Sequence, residues 1–153
     1  RLRRALATRG LMEAVTFSFL SEDDAVRFGG GAENLKLVNP ISADLSVMRP
    51  SILPNLLSAS ARNQDRGEAN AAMFEVGPVF LGDAPEDQRT AATGIRHGST
   101  APREWHGSSR AIDVFDARAD AEAALAALNS LPSSLCEGNG ASGDAGTVIF
   151  SCM

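Results

Sequence analysis

Asn39-Pro40-Ile41-Ser42-Ala43-Asp44-Leu45-Ser46-Val47-Met48-Arg49-Pro50, continuing into Ser51-Ile52-Leu53-Pro54-Asn55-Leu56-Leu57, is the stretch from which the rest of the chain can be read. Asn before Pro is held in extended geometry, and its side chain can bond its own backbone, so the run opens as a turn. Residues 45–48 then alternate, with Leu45 and Val47 on one face and Ser46 and Met48 on the other. Arg49 closes the extended piece before a proline that has no backbone donor. Ser51 is a suitable cap for a following helix, and Pro54 is tolerated in its first turn. Ile52, Leu53, Leu56, Leu57, Ser60, Ala61 and Gln64 form an apolar-to-small stripe, equally suited to a sheet or a partner helix.

Upstream, Leu2, Ala5, Leu6 and Arg9 have helical spacing that stops at Gly10. Residues 15–20 (Val-Thr-Phe-Ser-Phe-Leu) read as a half-buried strand. Ser21 followed by Glu22, Asp23 and Asp24 starts a short helix that ends before Gly29-Gly30-Gly31. The triple glycine lacks the lysine and hydroxyl of a phosphate loop and reads as a surface turn. Residues 35–38 read as a second short strand.

Downstream, residues 72–81 carry the strongest strand signal, with Gly77-Pro78 predicting a bulge or an edge position. An acidic turn over 82–88 leads to a weaker strand over 89–96, and 97–102 is a loop. Ile112 and Val114 alternate with Asp113 and Phe115 as another strand, after which Asp116 is expected to cap a helix. Ala117, Ala121, Ala124, Leu125 and Leu128 give that helix its period, to an end near 131–132. Residues 132–147 are expected to be a flexible glycine-rich segment, and 147–150 a lone strand short of a partner.

With 153 residues the chain is long enough for one ordinary core, so a single domain over 1–153 is expected. The formal charge of −5 argues against autonomous nucleic-acid binding, and the 14 basic residues include a single lysine, Lys36. No apolar run is long enough to span a membrane. Cys136 and Cys152 have neither a disulfide-scaffold nor a zinc spacing, which favours a reducing compartment. The abrupt arginine start points to a domain cut from something longer.

Chemistry-bearing residues do not assemble into a site. His97 and His106 lack metal-ligand spacing. Asp113 and Asp116 sit awkwardly for paired carboxylate work. Glu75, inside the best strand, would need Arg49, Arg62 or a backbone donor if it faces inward. Trp105 reads as a core or interface anchor beside a loop.

Arg9-Gly10-Leu11 with residues 15–19, then Asn39-Pro40-Ile41-Ser42 with residues 45–51, resemble the beta subunit of bacterial phenylalanine–tRNA ligase. So do Asn63, Arg66, the Phe74-Glu75-Val76-Gly77-Pro78-Val79-Phe80 strand and Asp113-Val114-Phe115-Asp116, in order, across roughly residues 1–128. The resemblance implies an α+β fold of the class II aminoacyl-tRNA synthetase type, an antiparallel sheet flanked by helices; where the tail departs from the family's pattern, either the sequence stops inside the domain, truncated at its C-terminal end, or it joins pieces across a missing segment.

It further implies a noncatalytic structural and subunit-interface domain in the cytoplasm, with no catalytic, cofactor or metal residue of its own. The partners implied are an alpha subunit that binds ATP and phenylalanine, a second beta chain in an (αβ)2 assembly, and tRNA through the holoenzyme, which uses ATP and magnesium. Where active relatives carry an arginine for the ATP α-phosphate, this chain has Leu81, which offers no charged fork. Arg49, Glu75, Asn63 and Trp105 are then structural candidates, and exposed apolar area is expected near residues 47–61. The competing readings are an independent small enzyme and an autonomous interaction or RNA-binding domain.

Overall fold

The computed structural model describes residues 1–101, 109–128, 136–137 and 147–152. The long strand that the pattern predicts is β4, Ala71–Phe80, and it pairs antiparallel with β5, Gln88–His97, at ten positions. The turn between them is a short 3-10 segment, Pro85–Asp87. β7, Thr147–Cys152, pairs antiparallel along the other side of β5 from Ala92 to His97. Residues 147–150 therefore have a partner within the chain, which corrects the expectation of a lone strand. β6, Cys136–Glu137, adds to β7, so part of the segment expected to be flexible is paired strand. Residues 132–135 and 138–146 of that segment lie outside the described residues.

β1, Met12–Glu13, runs parallel to β4 at Met73 and Phe74 and completes a sheet of order β1-β4-β5-β7-β6. Beyond Phe74 the outer flank of β4 meets no strand among the described residues. That is the edge position Gly77-Pro78 predicts, and it explains why the pair neither breaks nor bulges β4. In an antiparallel strand a residue's N–H and C=O point to the same side, and the Pro78 carbonyl faces away from β5, towards Arg49. The missing proline donor therefore costs the ladder nothing. The outer backbone groups are satisfied one by one, as a buried edge requires. Ala14 N–H donates to Phe74 O, Arg3 Nη2 to Val76 O and Arg49 Nε to Pro78 O, while Phe80 N–H donates to Arg49 O.

Helices cover both faces. α3, Leu53–Asp65, brings Ile52 and Leu56 against Met73, Val79, Ala91 and Ile95. On the opposite face α1, Leu2–Thr8, and α4, Val114–Leu128, pack Leu6, Ala121 and Ala124 on Phe74 and Phe150. Gly94 belongs to this second layer: a Cβ there would sit 2.3 Å from the Phe150 ring, so only glycine lets the ring lie flat on β5. A satellite core of Leu20, Ala25, Leu35 and Val47 lies under α2, Glu22–Arg27, whose start is capped by Ser21 Oγ accepting from Asp24 N–H.

Several local readings change. Only Phe19–Leu20 (β2) of the 15–20 run is strand, paired with β3, Val47–Met48. Its alternation is real, but the phase is inverted: Val15 and Phe17 are 90% and 64% exposed, and Thr16 turns inward. Residues 35–38 form a 3-10 turn, Glu33–Leu35, with one bridge from Lys36 to Val47, rather than a strand. Ile112 to Phe115 is likewise not a strand, since α4 begins at Val114. Asp113, not Asp116, is the cap: its Oδ1 accepts from Phe115 and Asp116 N–H, while Asp116 Oδ2 accepts from Asp113 N–H, a reciprocal capping box.

Candidate functional site

Among the described residues, two buried carboxylates tie neighbouring segments to the sheet. Glu75, on the α3 face of β4, is 4% exposed, and Arg49, arriving from the end of β3, is 1% exposed. Arg49 Nη1 donates to Glu75 Oε1 at 2.8 Å and to Thr16 Oγ1 at 3.0 Å, and the Thr16 hydroxyl donates to Glu75 Oε2 at 2.6 Å. The three side chains close a ring in which both Glu75 oxygens, the Thr16 hydroxyl and Arg49 Nη1 have partners, as burial in a low-dielectric interior demands. Nη2 lies over Gly77, where an added Cβ would come within 2.6 Å of it. The glycine is thus the floor of the arginine's berth.

The second carboxylate is Asp120 on α4, fully buried. Arg9 Nε donates to its Oδ1, and Arg96 donates through Nε to Oδ2 at 2.5 Å and through Nη2 to Oδ1 at 3.1 Å. Arg96 Nη2 also reaches the Arg9 carbonyl at 2.9 Å. This cluster joins the end of α1, strand β5 and α4. Sequence reading missed it, although a signal was present. Asp120 falls on the same stripe as Ala117, Ala121 and Ala124, and an acid on an apolar helix face must find cations elsewhere in the fold.

Of the other residues singled out, Asn63 lies near the end of α3, its carbonyl accepting from Arg66 and Glu68 N–H and its Nδ2 meeting Met73 Sδ at 3.7 Å. Arg62 does not meet Glu75; it is exposed on the wall of a cleft. Trp105 and His106 lie outside the described residues. His97 ends β5 rather than opening a loop. Asp116 is engaged by Arg110 at 2.7 and 2.8 Å. That guanidinium, more than the Asp113 backbone donor, holds its carboxyl below the usual carboxylate range, with partial burial acting the other way.

Exposed apolar area is not found at residues 47–61, where Val47, Ile52 and Leu56 are core. It lies instead at Val15 and Phe17, and at Val38 and Ile41 in the loop before β3. Val15 and Phe17 line the mouth of an open cleft of about 590 Å³ bounded by β2, α3 and the 43–45 turn.

The residues present do not fit a nucleotide at the end of β4. Leu81 is an exposed alkyl group whose N–H is committed to the Asp87 carbonyl, and the nearby Arg49 guanidinium is turned into the core. Among the described residues no three His, Cys, Asp or Glu side chains converge as a metal site requires, and no helix is long and apolar enough to cross a membrane.

Comparison with known proteins follows the same lines. Residues 1–139 match the family described as "Phenylalanyl tRNA synthetase beta chain CLM domain". The phenylalanine–tRNA ligase beta subunit of Paramagnetospirillum magneticum is 55% identical over 134 residues, covering 88% of this chain and 17% of that protein. The Bartonella henselae beta subunit is 57% identical over 129 residues, covering 82% and 16%. The chain thus spans 16–17% of the length of these relatives. The solved structure of Desulfitobacterium hafniense PylSc, a pyrrolysyl tRNA synthetase, shares the fold with a TM-score of 0.66 at 17% identity, over 99% of this chain and 63% of that one. The α+β sheet with its flanking helices is therefore of the class II synthetase type, and the chain belongs to the phenylalanyl-tRNA synthetase beta-chain family.

Proposed function

We propose that this chain is a noncatalytic structural and subunit-interface domain of a phenylalanine–tRNA ligase beta chain. In this reading it supports ATP- and magnesium-dependent attachment of phenylalanine to tRNA by an alpha subunit, within a cytoplasmic (αβ)2 assembly. The observation that carries the reading is the internal use of Arg49, whose Nε meets the Pro78 carbonyl near the end of β4. Arg49 spends its guanidinium on Glu75, Thr16 and the Pro78 carbonyl, while Leu81 stands where a phosphate would need a charged fork. A site that stabilises a transferring phosphoryl or acyl group needs preorganised donors aimed at it. Here the Arg49 donors are aimed into the core. The apolar Val15 and Phe17 beside the cleft supply surface for a partner subunit.

The test is phenylalanine-dependent ATP–pyrophosphate exchange by this chain alone, by an alpha subunit alone and by the two co-expressed. The expected result is complex formation with exchange only when the alpha subunit is present. Exchange by this chain alone overturns the reading.

A further inference from the structure

We propose that the cleft between β2 and α3 is a socket for an extended segment of the alpha subunit that carries an apolar side chain beside an arginine or lysine. This rests on the subunit-interface reading above and assigns that interface a place and a chemistry.

Three observations carry it. First, the segment that forms one wall is held rigidly with its apolar side chains outward. Thr16 is tied to Glu75 and Arg49, Ser18 O accepts from Arg49 N–H at 3.0 Å, and Phe17 O accepts from Asn55 Nδ2 at 2.8 Å. With Thr16 turned in, Val15 and Phe17 must turn out, and they do so at the mouth of a cavity backed by Phe19, Leu20 and Pro54. A pocket already shaped and immobilised binds without an ordering cost.

Second, the cleft contains a buried acceptor with no donor. Asn55 Oδ1 is shielded from solvent and makes no hydrogen bond. Flipping the amide does not relieve this, because the nitrogen already faces two carbonyls, Phe17 O and Phe19 O. An occupant that parts the wall at Asn55 supplies the donor through a backbone N–H.

Third, the rim is charged asymmetrically. Asp24 from α2 and Asp44 from the 43–45 turn line one side, next to Asp23 in the first turn of α2, where Glu22 is already paired with Lys36 at 2.9 Å, while Arg62 stands on α3. A cation on the occupant complements the two acids, and an occupant carboxylate or carbonyl complements Arg62.

The experiment is capture of the alpha subunit by the intact beta chain, with Phe17→Asp, Asp44→Lys and a control, Phe115→Asp, on the opposite face of the sheet. Phe17→Asp is expected to weaken capture at least tenfold. Asp44→Lys should weaken it several-fold, by a margin that shrinks as salt is raised. Phe115→Asp should bind as wild type. Asp44 is exposed and outside the core, so its variant keeps the fold and reports on the charge match even where Phe17→Asp is unstable. Wild-type capture by both cleft variants overturns the socket while leaving the subunit-interface reading intact. A Phe17→Asp chain that keeps the alpha subunit and loses tRNA or self-association instead also overturns it. Failure of the wild-type chain to assemble with the alpha subunit overturns the parent reading and the socket with it.

Discussion

The two buried carboxylates solve one problem in different ways. Glu75 sits on the sheet with a single arginine that is itself 1% exposed, and the pair is electrically balanced inside the core. Asp120 sits on a helix between two arginines whose side chains keep 35% and 17% of their exposure, so the cluster carries an extra positive charge that water can reach. The difference lies in what remains when the acid is removed. Arg9 and Arg96 can turn their heads to solvent along their alkyl stems. Arg49 cannot, because β4 lies against it and its carbonyl and Nε are part of that strand's edge. A buried pair need not add net stability over an apolar alternative, but a broken one is costly. The Arg49 cluster is therefore the stricter of the two, and it aligns the edge of β4 with the 16–18 segment.

The sharpest way to break this contrast is Glu75→Ala, which strands the buried guanidinium. The loss of unfolding free energy should be about 3–5 kcal/mol, read from urea or thermal unfolding. Asp120→Asn should cost less, about 1–3 kcal/mol, because its arginines can rehydrate. Equal losses at the two sites would remove the distinction. Gly77→Ala tests the berth itself. A methyl 2.6 Å from Arg49 Nη2 and 3.3 Å from Glu75 Oε1 should cost about 1–3 kcal/mol through overpacking. Combined with Glu75→Ala it should cost much less than the sum, since the two changes strike one network.

The smallest expected effect is at Asp116, a surface counterpart to both clusters. Its folded pKa lies below the unfolded value of about 3.9, so its contribution is present above that value and is lost as pH falls through the folded one. Asp116→Asn should lower stability at neutral pH by less than about 1 kcal/mol. The gap between variant and wild type should narrow in acid, as melting curves at pH 7 and pH 3 would show.

Much of the frame was legible from residue patterns. The capping serine at 21, the stripe through Ile52 and Leu56, the 72–81 strand and the helix expected after Asp116 follow from local rules, and the structure bears them out, the last of them starting earlier, at Val114. The ordered series of short strings also led to the correct family and fold class. The errors cluster where a long-range partner outweighs the local pattern. Residues 15–20 alternate as read, but the phase is opposite, because the Thr16 hydroxyl completes the ring at Glu75 and hydropathy alone would have buried Val15 and Phe17. The edge position that Gly77-Pro78 predicted is found, but that Arg49 occupies that flank was not legible locally. Asp120 was visible as an acid on an apolar stripe, yet its partners lie 24 and 111 positions away.

By itself, then, the chain determined its helices, its two long strands and its family, because capping, periodicity and turn chemistry act within a few residues. Tertiary structure alone decided which arginine meets which carboxylate, which face of the 15–18 segment is turned to solvent, and that the last strand returns to β5. Those choices depend on removing charge and backbone groups from water together. No single segment carries that requirement.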